Sequence, residues 1–160
     1  MNLAPLSELF TVTYGVNLEL NRMTLDPSGI PFVGRSDRNN GVTARVSAIP
    51  GLAPNPARTL SVAGGGSVLA TFLQVEPYYS GRDLFYLTPK IEMTDSQLLY
   101  YCACIRANRY RYSYGRQANK TLKDLPLPRL DVLPPWVSGG LERVVSNLSL
   151  KLHSVVPEVS

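Results

Sequence analysis

Histidine occurs once in this 160-residue chain, as His153, and cysteine twice, as Cys102 and Cys104. One histidine close to the C-terminal end leaves no basis for a Ser-His-Asp or Cys-His pair. Two cysteines with no histidine and no second pair nearby fall short of a zinc site on ligand count. They are also too few for a disulfide framework. On a helix their spacing turns them to different faces, so they are expected as reduced, buried thiols in an intracellular protein. The 12 carboxylates are sparse and unclustered, against two-metal nuclease chemistry. There is no Asn-Pro-Pro-Tyr or Asp-Pro-Pro-Tyr element and no dinucleotide or methyl-donor glycine loop after a first strand. No apolar run is long enough to span a membrane, and the opening residues, Met1 to Glu8, have neither the basic nor the apolar region of a signal peptide. The expectation is a non-catalytic, cytoplasmic chain with no metal and no cofactor.

Charge is also scarce: 18% of residues, against a globular average of about 25%. That excludes both a disordered chain and a coiled coil. Hydrophobic residues make up 44%, and a chain of this length buries about two thirds of its unfolded surface as one domain.

Phe10, Val12 and Tyr14 alternate with Thr11 and Thr13, which predicts a half-buried strand ending at Gly15. A short helix over Asn17–Thr24 is expected to stop at the turn Asp26-Pro27-Ser28-Gly29. Ile30–Val33 and Val42–Ser47 read as two strands joined by a polar hairpin with Asn40-Gly41 at its turn. Pro50, Pro54 and Pro56 make residues 50–58 a rigid loop. Thr59–Ala63, Ser67–Val75 and Leu84–Leu87 read as further strands, with a sharp bend at Gly64-Gly65-Gly66. Thr94-Asp95-Ser96-Gln97 has the spacing of a capping box and opens a helix from about Asp95 to near Asn108, with Leu98, Cys102 and Ile105 on its buried face. Pro126, Pro128, Pro134 and Pro135 forbid long regular structure, and a short helix fits Leu141–Leu152. The fold class is α+β, a mixed β-sheet globule with a few helices.

The net charge of +4 is mild, but it is unevenly spread. Arg106, Arg109, Arg111, Arg116, Lys120 and Lys123 put six of the 16 cations into 18 residues, with no acidic residue between Asp95 and Asp124. Tyr110, Tyr112 and Tyr114 are interleaved, and Gln117 and Asn119 follow. Arginine and lysine neutralise phosphates. Arginine also grips guanine, and glutamine or asparagine grips adenine, while tyrosine stacks on bases or bonds phosphate. The competing reading is a solvated strand with the tyrosines turned to the core, since they share a parity opposite Arg109 and Arg111. Six cations without a counter-charge favour a bound polyanion. The hairpin Arg35-Ser36-Asp37-Arg38-Asn39-Asn40 is a second polar cluster, open both to base or phosphate contact through Arg35, Arg38 and Asn39 and to an ordinary turn. The glycine run lacks the Gly-Lys-Ser/Thr ending of a phosphate loop and reads as a structural bend.

The ordered set Leu6-Ser7-Glu8-Leu9-Phe10, Tyr14-Gly15, Ile30-Pro31-Phe32-Val33, Asn39-Asn40-Gly41, Gly65-Gly66-Ser67-Val68, Thr71-Phe72, Ala107 to Leu122, Leu125-Pro126-Leu127-Pro128 and Pro135-Trp136-Val137 resembles a target recognition domain of restriction–modification specificity subunits, type I and type IIB-like. The resemblance covers Leu6 to Val137. It implies a mixed α/β globule that reads double-stranded DNA without chemistry of its own and works with DNA methyltransferase or restriction subunits. It also implies that the basic segment lies on the duplex with the glycine bend near it. The expected DNA-binding residues are Arg35, Arg38, Asn39, Arg106, Arg109, Arg111, Arg116, Gln117, Asn119 and Lys120. Residues 1–137 would form the recognition domain and 138–160 a C-terminal tail. Family members usually carry two such domains, so a half-size chain has homodimerisation open to it as a way to read a palindromic or split site. Two other classes stay open: the recognition fragment of a fused methyltransferase or nuclease, and an interaction protein that modulates a restriction complex without touching DNA.

Overall fold

A computed structural model describes residues 2–112 and 117–138. Twelve helices and strands, apart from single 3-10 turns, are found there: β1 (Leu3–Pro5), α1 (Leu6–Leu9), β2 (Phe10–Tyr14), β3 (Leu25–Val33), β4 (Val42–Val46), β5 (Thr59–Ala63), β6 (Thr71–Gln74), β7 (Tyr79–Ser80), β8 (Leu84–Pro89), α2 (Asp95–Arg106), β9 (Pro126–Pro128) and α3 (Pro135–Ser138). The central sheet is antiparallel in the order β2-β8-β5-β6. A second sheet, β4-β3-β7, is mixed, because β3 pairs antiparallel with β4 and parallel with β7. The expected mixed α+β architecture is therefore the observed one.

Helix α2 holds the centre together. Its capping box forms as the sequence pattern requires: the Thr94 hydroxyl accepts from the Gln97 amide at 3.2 Å, and the Gln97 side chain accepts from the Thr94 amide at 2.9 Å. Leu98, Tyr101, Cys102 and Ile105 then face the central sheet and share a core with Phe10, Leu60, Val62 and Leu87. Tyr101 meets Phe10 edge to face at 5.5 Å and donates its hydroxyl to the Pro128 carbonyl at 2.7 Å, which ties α2 to β9. Both cysteines are free; Cys102 is buried and its thiol is pushed up to about 12 by desolvation, while Cys104 is half-buried. A thiol so far above neutral pH is inert.

Several local expectations are overridden by tertiary pairing. Asn17–Thr24 is not a helix but one 3-10 turn, Leu20–Arg22, because Asn17 bridges to Ser80 and the Leu18 amide donates to the Ser80 carbonyl. The Asp26–Gly29 turn exists chemically, with the Asp26 carboxylate accepting from the Ser28 amide at 3.0 Å, yet it is absorbed inside β3 as a bulge, so that Leu25 and Ile30 both register on Val46. Strand β6 starts at Thr71 rather than Ser67. The chain between the glycine bend and β6 folds back on itself, with Leu69 at φ 61°, which lets the Leu69 side chain reach full burial in the core. The short pairs β1–β9 and β3–β7 were not expected, since prolines flank or fill β1 and β9, where only edge pairing tolerates them. The helix expected over Leu141–Leu152 lies outside the described residues.

Thr94→Ala removes one half of the capping box and is expected to cost about 1 kcal/mol of stability, read as a lower denaturant midpoint with unchanged slope.

Candidate nucleic-acid interface

The hairpin between β3 and β4 is longer than the two-residue turn its Asn-Gly pair suggests. Gly34 donates to the Gly41 carbonyl at 2.8 Å, and Gly41 donates to Arg38 at 2.9 Å. Asn39, Asn40 and Gly41 follow one another with φ of 53°, 57° and 75°, a left-handed run that asparagine and glycine tolerate best. The Asn39 amide is spent on the Val42 carbonyl at 3.0 Å, so this residue builds the loop rather than presenting a free base-reading group. Asn40 and Gln74 exchange hydrogen bonds and pin the loop to β6.

The described part of the basic segment forms no strand. Beyond α2 the chain tightens into a 3-10 turn over Arg109–Tyr112, so the tyrosine and arginine faces expected from alternation do not exist there. Tyr110 is 70% exposed, whereas Tyr112 packs against the core and its hydroxyl meets Thr121 Oγ1 at 2.8 Å. Tyr114 and Arg116 lie outside the described residues.

For Arg106 and Arg109 the expectation of no counter-charge fails. Asp37, about 70 residues away in sequence, sits between two of them. Arg109 donates to both Asp37 oxygens at 3.2 Å, and Arg106 Nη1 lies 3.5 Å from Oδ1. Arg106 also donates to the Thr71 carbonyl and lies over the Phe72 ring at 4.4 Å, and Arg109 donates to the Val68 carbonyl at 2.8 Å. The Arg109 hydrogen bonds hold the Asp37 carboxyl below the usual carboxylate range. These two arginines thus fasten the 34–41 loop to the end of α2. Arg111 has no carboxylate partner among the described residues; its Nε donates to Asn108 Oδ1 at 2.8 Å, and its guanidinium lies over the Tyr110 ring. Arg38, Lys120 and Lys123 are exposed, and their side chains have no partner among the described residues.

Asp83, which the sequence did not single out, joins the remaining candidates. It is buried in the tight turn before β8, at φ 57°, with its amide donating to the Tyr14 hydroxyl at 2.9 Å. Its Oδ2 accepts from Arg35 Nη1 at 3.2 Å, and its Oδ1 accepts from Asn119 Nδ2 at 3.3 Å; Asn119 in turn reaches Gln117 Oε1 at 3.4 Å. The glycine bend is the floor beneath them. Gly64 donates to the Asp83 carbonyl at 2.7 Å and accepts from Ala118 at 2.8 Å. A Cβ on Gly64 would fall 2.2 Å from Asn119 Oδ1, so the bend needs glycine for close approach, as a structural element should. The only sequence cue to Asp83 was its place after Gly81-Arg82, a pattern shared with ordinary turns. The two candidate loops are thereby linked twice, through Asp37 and through Asp83.

With this geometry in place, the fold can be compared with known ones. No family model matches the chain. The fold is that found within solved specificity subunits of type I restriction–modification systems. The S subunit from M. genitalium superposes on 95% of this chain and 40% of its own, with a TM-score of 0.59 at 17% identity. The HsdS subunit from Thermoanaerobacter tengcongensis covers 96% and 39%, with a TM-score of 0.60 at 18% identity. In sequence, the chain is similar to the specificity subunit S.BcgI of the type II restriction enzyme BgcI from Heyndrickxia coagulans, 29% identical over 117 residues. That match takes in 72% of this chain but only 33% of the relative, so the chain spans about a third of its length. Among the described residues, no group of three or more His, Cys, Asp or Glu side chains is placed to hold a metal, and no helix is long and apolar enough to cross a membrane.

The Asp37 clamp has a definite pH dependence. Its carboxyl is depressed in the folded state, so the clamp is fully formed above the ordinary carboxylate range and is lost as pH falls through the lower folded value. Protection of amides in residues 35–41, measured against their intrinsic exchange rates, is expected to fall as pH drops below the ordinary carboxylate range, and Asp37→Asn is expected to show that lower protection already at neutral pH.

Proposed function

We propose that this chain reads sequence in double-stranded DNA as the specificity component of a restriction–modification system, with methyl transfer and cleavage carried by partner subunits. The observation that carries this reading is the double linkage of the 34–41 loop to the 106–120 segment. It gathers residues far apart in sequence into one polar surface while Arg38, Arg111, Lys120 and Lys123 stay exposed with no carboxylate partner among the described residues. Such cations suit phosphates, and the adjoining arginine and amide side chains suit base edges. The likeness to S.BcgI and to solved S subunits supports the assignment.

On this reading residues 1–137 are the recognition unit and 138–160 a tail, the location is cytoplasmic, and the partners are DNA, methyltransferase and restriction subunits. A second recognition unit would come from another copy of the chain or from a longer polypeptide, which is how a split or palindromic site is read. The ten residues named from sequence divide by environment. Arg38, Arg111 and Lys120 are phosphate contacts, Arg35 and Gln117 face the bases, and Arg106, Arg109, Asn39 and Asn119 serve mainly to hold the loops. Arg116 joins the first group by type.

The test is a binding titration over a salt series, followed by selection from a random-sequence DNA library. The log–log salt slope should fall by about 0.9 for each phosphate contact removed, so Arg38→Gln and Lys120→Gln are each expected to flatten it by about one while leaving the enriched motif unchanged. A wild-type slope near zero would refute DNA binding, and a steep slope with no enriched motif would refute sequence reading.

A further inference from the structure

The cluster around Asp83 carries more than loop attachment. Arg35 uses Nη1 on the Asp83 carboxylate, which leaves Nε and Nη2 as donors with no partner among the described residues. Asn119 is consumed within the protein: its Nδ2 serves both Asp83 Oδ1 and Gln117 Oε1, and its Oδ1 lies against Gly64. Gln117 differs. It is exposed, its Oε1 accepts from Asn119, and its Nε2 is left without a partner among the described residues. Arg35 Nη1 and Gln117 Nε2 also converge. They lie 3.1 and 3.6 Å from a single point, the position that a Cβ on Gly65 would occupy. Both side chains thus meet at one point of the surface, within reach of the same or neighbouring base pairs, which stack at about 3.4 Å.

Resting on the DNA-reading function above, we propose that Arg35 and Gln117 form one preset pair that reads adjacent purines, Arg35 guanine and Gln117 adenine, and that Asp83 is the positioning residue that holds the pair, directly for Arg35 and through Asn119 for Gln117. The chemistry follows from the edges. A guanidinium fork matches the two acceptors of guanine in the major groove, and an amide with an unspent donor and a lone pair still free on Oε1 matches the donor–acceptor edge of adenine. Holding both side chains in the free protein removes the rotamer cost of ordering them at the interface. A side chain on Gly65 would crowd the space in which they meet, its Cβ falling 3.1 Å from Arg35 Nη1 and 3.6 Å from Gln117 Nε2.

The test is selection of bound sequences from a random double-stranded library by the full chain, with the salt slope measured in parallel. Wild type should enrich a motif containing two adjacent purine positions. Arg35→Gln should shift one of them from guanine toward adenine, and Gln117→Ala should relax its neighbour roughly tenfold. Asp83→Asn should relax both positions together while the salt slope is retained, a split that a purely structural role would not produce, since loss of structure weakens all sequences alike. Both readers are exposed, so their two variants decide the matter even where Asp83→Asn fails to fold. Relaxed positions that are not adjacent, no relaxation in either reader variant, or a uniform loss of affinity in a folded Asp83→Asn would each overturn the proposal while leaving sequence-specific binding intact. Absence of salt-dependent binding by wild type would overturn the DNA-reading function itself and this inference with it.

Discussion

A buried carboxylate in a tight turn can serve as a junction only if the groups that meet it come from different parts of the chain. Asp83 does this. It faces Arg35, 48 residues earlier, and Asn119, 36 residues later, and its own amide is fixed by the Tyr14 hydroxyl of β2. An ionised group this deeply placed is tolerated because it is paired and hydrogen-bonded on both oxygens. The consequence is mutual: the turn holds the two loops at one distance from each other, and the loops satisfy the charge that would otherwise oppose the fold. The glycine bend makes this possible by letting the 117–119 segment approach the sheet end closely enough to hydrogen-bond to Gly64.

The second junction, at Asp37, changes the meaning of the basic segment. Seen along the chain, Arg106 and Arg109 belong to a run of unopposed positive charge. In the folded protein they are the most fully engaged of those cations, each bonded to a backbone carbonyl and to the same carboxylate. Charge density along a sequence therefore overstated the potential of these two positions and understated that of Arg38, which lies alone in a loop. Which cation is free for a polyanion is decided by distance in space, where an aspartate across the fold counts as a neighbour.

The parts of the fold that were legible in the sequence are those whose signals are local. The Thr94–Gln97 box, the Phe10-Val12 alternation and the β3–β4 hairpin are each written within a few residues, and each formed. What was not legible depends on remote partners. Strand β7 is two residues long and exists because β3 lies beside it; the left-handed Leu69 exists because the core accepts its side chain; β1 and β9 pair in spite of their prolines. The same division holds for the site. Residue types at Arg35, Gln117 and Asn119 marked them as candidates, but Asp83 carries no local mark, and the difference between Asn119, internally satisfied, and Gln117, with an unspent donor, is a matter of hydrogen-bond partners alone.

The β1–β9 pairing has a bearing on how such a unit can be deployed. Leu3 is registered on Pro128, and Arg129 donates to the Asn2 carbonyl at 2.9 Å, so the first and last strands meet at a single seam, beyond which the chain still packs on α2 through Trp136 and Val137. A unit closed in this way resembles a bead on a string whose two holes have been moved to the same side. It can be carried within a longer polypeptide as a lateral excursion, leaving the path of the host chain almost undisturbed, and one such excursion can be exchanged for another of different surface without re-engineering what flanks it. A surface on a body attached in this manner is free to vary independently of what flanks it.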